Sequence, residues 1–391
     1  MTLKIGVMYQ SEFGGTNALL GKLSHWMSNN HVDVVDIERA KRDDLTLDYI
    51  ILPTSEIASV FTHVRQGLKF NDYIIWSMGH GAFRAAFINE RMINKSKKLD
   101  VFFRVIIYIV DFFLQHLLKR KKIIFTDCVG LSHDVGNMGG YKQYQDLVFP
   151  IVVEHSDLVH QRKDASLRFG WVGRVDYDFK VGPLIKLLQD LDRHHCDGLI
   201  NIQNFTIIGN GNAIDLIKKE IEALSFNVNI LGMVPNNVLS NVIDDNIDVL
   251  CAMGTSVLEG AKIGLPSIIV SPFSLGSSEQ SGYRWVFDSI GYSLGEFSLE
   301  NVCPAQRKVK LDIILDELAQ FGYNYHASKS SKYVDSFYPD KVFNELSRFI
   351  YAKKYNIGYK DKLLFTYSSI FQVLKRLMKK LKNKELRYDQ K

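Results

Sequence analysis

The chain has 391 residues, enough for two or three domains of ordinary size. Hydrophobic residues make up 46% of it, which excludes a disordered chain, and Cys128, Cys196, Cys251 and Cys303 are far apart with no CxxC, which suggests neither a disulfide framework nor a cysteine-rich zinc site. The net charge of +5 is concentrated in residues 361–391, with nine Lys or Arg against three Asp or Glu; the rest sums to −1, so no broad nucleic-acid-binding face is expected.

Residues 1–10 hold too short an apolar run for a secretory signal and read as a first strand. Apolar runs at 3–8, 32–37, 49–52, 73–77 and 123–126 then alternate with helical patterns, beginning with a helix over 16–29. A second series follows at 168–172, 205–208, 228–231, 249–252 and 267–270. Strands alternating with helices predict βαβ units and parallel sheets, and two series predict two doubly wound α/β domains. The boundary is expected in the polar stretch 155–166.

Two segments break the alternation. Residues 101–118, VFFRVIIYIVDFFLQHLL, form an apolar helix with Lys97, Arg104, Asp111 and Gln115 on one narrow stripe. It reads either as a helix buried against the domain or as one lying in a membrane interface; charges near its middle argue against a span. The tail repeats Leu363, Leu364, Tyr367, Ile370, Phe371, Leu374, Leu377, Met378 and Leu381 at helical spacing. Lys375, Arg376, Lys379, Lys380, Lys382, Lys384 and Arg387 flank or follow them. That is a basic amphipathic helix, suited to an anionic membrane surface or to packing on the body with a solvated end.

The sharpest chemical signal is FGWVGRVDYDFKVG at 169–182. A strand ends at Gly173, and Arg174 and Lys180 follow on the turn into a helix. A departing diphosphate needs cations to take up the charge that develops as its bond breaks. FTIIGNGN at 205–212 runs a strand into Gly209 and Gly211, and VNILGMVP at 228–235 ends another strand before Met233 and Val234. MGTSVLEGAKIGLP follows at 253–266. There Gly254, Thr255 and Ser256 present amides at a helix start, and the carboxylate of Glu259 suits a ribose diol.

In this order the residues resemble the retaining glycosyltransferases of family 4. The likeness is close over 168–270 and loose before it. It implies the GT-B fold, in which two Rossmann-like doubly wound parallel-sheet domains face each other across a cleft. It also implies that Arg174 and Lys180, with Gly173, grip the donor diphosphate. Gly209 and Gly211 match the family's strand-glycine-x-glycine element, Met233 and Val234 the turn that holds the base by its backbone, and Glu259 the ribose-binding glutamate. The family's second glutamate, eight residues earlier, is replaced by Cys251. The glycine turn FGGTN at 13–17, with Gly14 and Gly15, is either a plain βα turn or, as the resemblance implies, a loop facing the donor phosphates. His80 in MGHGAF and His133 in TDCVGLSHD follow strands and are candidates for orienting acceptor or donor sugar. The pairs Asp176/Asp178 and Asp244/Asp245 read as solvated turns. No metal and no cofactor is expected, the nucleotide-diphosphate sugar being the donor substrate.

The expected organisation is an acceptor domain over 1–160, a nucleotide-sugar domain over 161–350 and a basic tail over 351–391. The expected function is transfer of a sugar to an acceptor, a lipid-linked oligosaccharide of bacterial polysaccharide synthesis, by a cytoplasmic enzyme peripheral on the inner face of the plasma membrane. The alternatives are a GT-B nucleotide-sugar epimerase, an inverting transferase and a non-catalytic scaffold that binds nucleotide sugar or membrane.

Overall fold

The computed structural model describes residues 3–10, 15–87, 100–136, 141–162, 166–277, 282–297, 305–352 and 356–388. Gly14 and Lys97 lie outside them, and so do the side chains of Leu374 and of 377–388. The chain divides into two units, Met1–Pro150 with Val342–Lys391, and Ile151–Lys341. The division differs from the expected one at both ends. The first unit stops at Pro150, and the C-terminal segment joins it instead of standing apart as a tail.

The first unit is built on β1 Lys4–Val7, β2 Asp33–Val35, β3 Thr46–Pro53, β4 Lys69–Ser77 and β5 Ile123–Phe125. They lie in the order β2-β1-β3-β4-β5, every pair parallel. Ile50, Ile51, Leu52, Tyr73, Ile74, Ile75 and Trp76 are fully buried, because a parallel sheet is covered on both faces and its strands read as unbroken apolar runs.

The second unit has β6 Leu167–Val172, β7 Ile202–Ile208, β8 Asn227–Gly232, β9 Val249–Ala252, β10 Ser267–Val270 and β11 Tyr283–Trp285. Their order is β11-β10-β9-β6-β7-β8, parallel except for β11, an antiparallel edge strand that the sequence reading did not anticipate. Alternate residues feed two cores: Phe169, Trp171, Phe205 and Ile207 one, and Val172, Ile208, Leu250 and Ala252 the other. Each fully buried side chain of this size contributes about 1.5–3 kcal/mol. In each unit the chain lays strands to one side of its first strand and then to the other. The order therefore reverses between β1 and β3, and between β6 and β9. Ligands of open α/β sheets sit at the carboxyl ends of the strands at such a reversal.

The helix Asp100–Lys119 buries Ile106, Val110, Phe113, Leu114 and Leu117 while Val105, Tyr108 and Phe112 stay exposed. Its Asp111 pairs with Arg84 at 2.8 Å. The helix Tyr359–Tyr388 is anchored by Asp361, fully buried, which accepts from the Tyr73 hydroxyl at 2.6 Å, His116 Nε2 at 2.9 Å and Lys122 Nζ at 3.1 Å. Leu364, Phe365 and Phe371 are buried beside it. Lys375, read from the sequence as a flanking surface cation, instead donates to the carbonyls of Ala85 and Ala86, and burial lowers its ammonium to about 8. No helix among the described residues is long and apolar enough to cross a membrane.

Candidate functional site

In the second unit the loops after β6, β7, β8 and β9 carry most of the candidate residues. The loops after β6 and β7 are fastened to each other. Gly173, at φ +154°, donates its N–H to the Ile208 carbonyl at 3.0 Å. A Cβ on Gly209 would lie 1.9 Å from the Gly173 carbonyl oxygen, so only glycine permits this approach. A Cβ on Gly211 would likewise meet the Val175 carbonyl at 2.2 Å. Val175 donates to the Asn210 carbonyl at 3.1 Å, and Asn212 Oδ1 accepts the Tyr177 N–H at 2.9 Å. Asp176 closes the lacing, accepting the Asn212 N–H at 3.1 Å and Arg174 Nη1 at 2.6 Å. Asp176 is therefore a bridge between loops rather than a solvated turn residue.

Arg174 is 63% exposed and also lies 3.5 Å from Asp178. Lys180 is half-buried, its Nζ 3.9 Å from where a Cβ on Gly173 would stand. Among the described residues Lys180 has no ion pair. Its pKa is lowered, first by burial and then by the Arg174 charge, with Asp178 and Asp176 opposing. Met233 is 82% exposed and Val234 half-buried on the turn after β8.

Across the strand-order reversal, Gly254 gives its N–H to the Leu294 carbonyl at 2.7 Å. Of the three amides expected to meet an anion, Gly254's is therefore already bonded, and those of Thr255 and Ser256 stand at the start of the helix Ser256–Ala261. The loop bearing Leu294 is held by a buried pair: Arg284 donates to both oxygens of Glu296 at 2.9 Å, and Ser293 Oγ bonds Glu296 at 2.6 Å. Glu259 pairs with Lys262 at 2.5 Å, Lys262 being the more buried of the two. Cys251 lies inside β9 in the apolar core, and burial pushes its thiol up. A carboxylate at that position would point into the core, so the departure from the family pattern concerns the strand interior and not the turn that follows it.

The first unit gathers His80 and His133 at the carboxyl ends of β4 and β5. Asp127 caps the helix Cys128–Val135 by accepting the Gly130 N–H at 2.6 Å, and its Oδ1 lies 3.9 Å from His80 Nε2. A Cβ on Gly81, at φ +64°, would lie 2.7 Å from His133 Cε1. His133 Nδ1 is buried with no hydrogen-bond partner among the described residues. Asp134 is buried and accepts from Ser77 Oγ and from the N–H groups of Phe83 and Arg84, so it caps the helix Ala82–Phe87; burial raises its pKa against those bonds. Gly15 begins the helix Gly15–Asn29 beside the β1/β3 reversal, and among the described residues a Cβ there would meet nothing within 4 Å. Asn17 ties that helix to Gln10 by two bonds, of 2.8 and 2.9 Å.

Solved structures similar to the chain include the lipopolysaccharide outer core galactosyltransferase WaaB in its apo form, at 13% identity and a TM-score of 0.52. A second is HepE of Anabaena in complex with UDP, at 10% identity and a TM-score of 0.52. Each likeness spans 90% of this chain and 100% of the other. The fold is GT-B. No family model matches the chain, and no curated protein is similar to it in sequence.

Within this GT-B chain, Gly173, Arg174, Lys180, Gly209, Gly211, Met233, Val234, Gly254, Thr255, Ser256 and Glu259 all fall on the second unit, at the carboxyl ends of its strands. Gly15, His80 and His133 fall on the first, the two histidines together and Gly15 at the β1/β3 reversal. Sequence reasoning missed Asp176, Asn212, Asn17, Lys262 and the Arg284–Glu296 pair. Lys262 was visible, one helical turn from Glu259, whereas Asp176 and Asn212 meet across 36 residues. Asp244, read as solvated, pairs with buried His160 at 2.7 Å. Among the described residues no group of three or more His, Cys, Asp or Glu is placed to hold a metal ion.

Proposed function

We propose that the chain transfers a sugar, with retention of configuration, from a nucleotide-diphosphate sugar to a lipid-linked glycan at an anionic membrane surface. One observation carries the reading: Lys180 is a half-buried cation without an ion pair among the described residues, beside Gly173 and Arg174 at the strand-order reversal. Breaking the bond between the sugar and the diphosphate leaves negative charge on the departing oxygen. Two preorganised cations and the amides of Thr255 and Ser256 stabilise that charge as it forms. Glu259 accepts from the ribose diol, and the turn at Met233 and Val234 offers backbone groups to the base. The acceptor hydroxyl, oriented by His133 or His80, bonds to the sugar carbon that the diphosphate leaves, and its proton passes to the departing diphosphate oxygen. UDP is the first nucleotide to test, since HepE was solved with it. The membrane part is supported by exposed Val105, Tyr108 and Phe112 on one helix, exposed Tyr367 and Ile370 on another, and the positive excess of 361–391.

The test is a thermal-shift series with nucleoside diphosphates and nucleotide sugars, followed by transfer of labelled sugar from whichever donor binds. A ligand at 100 times its Kd adds about 2.7 kcal/mol to stability. His133→Ala should cut transfer and leave nucleotide affinity intact. Binding without transfer or hydrolysis would establish the scaffold alternative, and no stabilisation by any nucleotide would overturn the reading.

A further inference from the structure

The first unit holds a hollow at the N-terminal ends of β3 and β4, the opposite end of the sheet from His80 and His133. Thr46 and Lys69, where those strands begin, line it together with the helices Ile57–Arg65 and Tyr359–Tyr388. Its volume is about 680 Å³, within the range of small-molecule sites. The wall is Phe61, Val64, Leu68, Phe70, Ile357 and Phe365. Val64 is 46% exposed, and Phe61, Phe70 and Ile357 are only half-buried, so apolar surface stands open to water inside a concavity.

Both charged residues of the lining, Lys69 and Lys362, are cations. Arg65 lies 5.8 Å from the centre of the Phe61 ring, Lys69 is paired with Asp44 at 2.7 Å, and Lys362 lines the hollow from the C-terminal helix. Among the described residues Arg65 and Lys362 have no ion pair. An unpaired cation, Lys362, in an apolar lining that also holds Thr46 and Asn71 matches an amphiphile with a negative head.

We propose that this hollow binds a single hydrocarbon chain bearing an anionic head group, supplied either as a free fatty acid or as one chain of a membrane lipid. The wall takes the chain, and Lys362 takes the head. The site is independent of the nucleotide reading, because its residues lie on the other unit from Arg174 and Lys180.

Titration calorimetry of the full chain with dodecanoate, below its micelle concentration, tests this. Dodecanoate should bind, and decanoate should bind about 15-fold more weakly, each methylene being worth about fourfold. Dodecanol, with no charge, should bind about tenfold or more weakly than dodecanoate, and Lys362→Ala should remove most of that difference. Val64→Glu puts a carboxylate on the exposed part of the wall; it should abolish dodecanoate binding while thermal unfolding stays cooperative. Phosphatidylglycerol vesicles separate the sources. Val64→Glu lowers partition into them if a lipid chain occupies the hollow and leaves it unchanged if the ligand is the free acid, and either result with dodecanoate binding upholds the site. No dodecanoate binding by the wild type, or equal binding by Val64→Glu, overturns it.

Discussion

Replacing Lys180 by methionine separates ligand binding from stability. The ammonium is held below the ordinary lysine range, first by burial and then by Arg174. A lysine whose folded pKa lies below its unfolded value weakens the fold while it is protonated. That penalty is complete below the folded pKa and fades as pH rises to the unfolded value. At pH 7 the wild type carries the penalty and Lys180→Met does not, so the ligand-free variant should melt at the wild-type temperature or above it. Nucleotide affinity should move the other way. A hydrogen bond to a charged group is worth about 1.5–3 kcal/mol, which raises Kd about 10- to 150-fold. Loss of the same contact from the transition state should lower kcat about 10²- to 10³-fold. The assay is thermal unfolding across a UDP series. Where the wild type gains about 2.7 kcal/mol, at 100 times its Kd, a variant binding 100-fold more weakly gains about 0.4 kcal/mol. A variant that loses ligand-free stability and keeps the wild-type UDP dependence refutes the reasoning, since Lys180 would then be a structural lysine.

Glu259→Gln should weaken nucleoside diphosphate binding by about 1–3 kcal/mol and leave the free base unaffected, as read by calorimetry. Gly209→Ala drives a methyl group into the Gly173 carbonyl and should cost about 2–4 kcal/mol in urea denaturation, with nucleotide affinity falling as the two loops part. Deleting 377–391 removes six of the nine cations of 361–391 while leaving Leu364, Phe365 and Phe371 in place. At about 1 kcal/mol per cation near an anionic surface, co-sedimentation with anionic liposomes should be lost at unchanged melting temperature, and full retention would rule out the tail as anchor. Burial raises the Asp361 pKa, but the Tyr73 hydroxyl, the Gly358 N–H, the Lys122 charge and His116 outweigh it and leave the carboxyl below its ordinary value. A depressed carboxyl stabilises the fold above its unfolded pKa and loses that contribution as pH falls through the folded one. The stability difference between wild type and Asp361→Asn should therefore shrink below about pH 4 in urea titrations followed by tryptophan fluorescence.

What was legible in the sequence is what local pattern encodes. Ten of the eleven strands among the described residues show as apolar runs, and where both faces of the parallel sheet are covered, as at Ile50, Ile74 or Ile207, no polar alternation is needed. The strand Tyr283–Trp285 was missed because it carries Arg284, whose burial makes sense only once Glu296 is seen to neutralise it. Gly173, Gly209 and Gly211 stood out as glycines, but that Gly209 and Gly211 let the loops after β6 and β7 approach each other shows only in the structure. The amide of Gly254 looked available until the Leu294 carbonyl took it. The tail looked like a separate amphipathic helix because Asp361 meets its partners Lys122 and Tyr73 across 239 and 288 residues, beyond the reach of any periodicity.

The return of Val342–Lys391 to the N-terminal unit sets the order in which the molecule can be finished on the ribosome. Ile151–Lys341 is continuous and has its whole sheet as soon as it has emerged, whereas Met1–Pro150 must wait, with its own sheet made, for a segment translated after the second unit. During that wait Lys122 keeps Asp72, at 2.8 Å, and the Tyr73 ring but lacks Asp361, and the surface destined for Leu364, Phe365 and Phe371 stays uncovered. The half synthesised first is thus completed last, and a nascent chain stopped soon after residue 341 would join a finished second unit to an unfinished first.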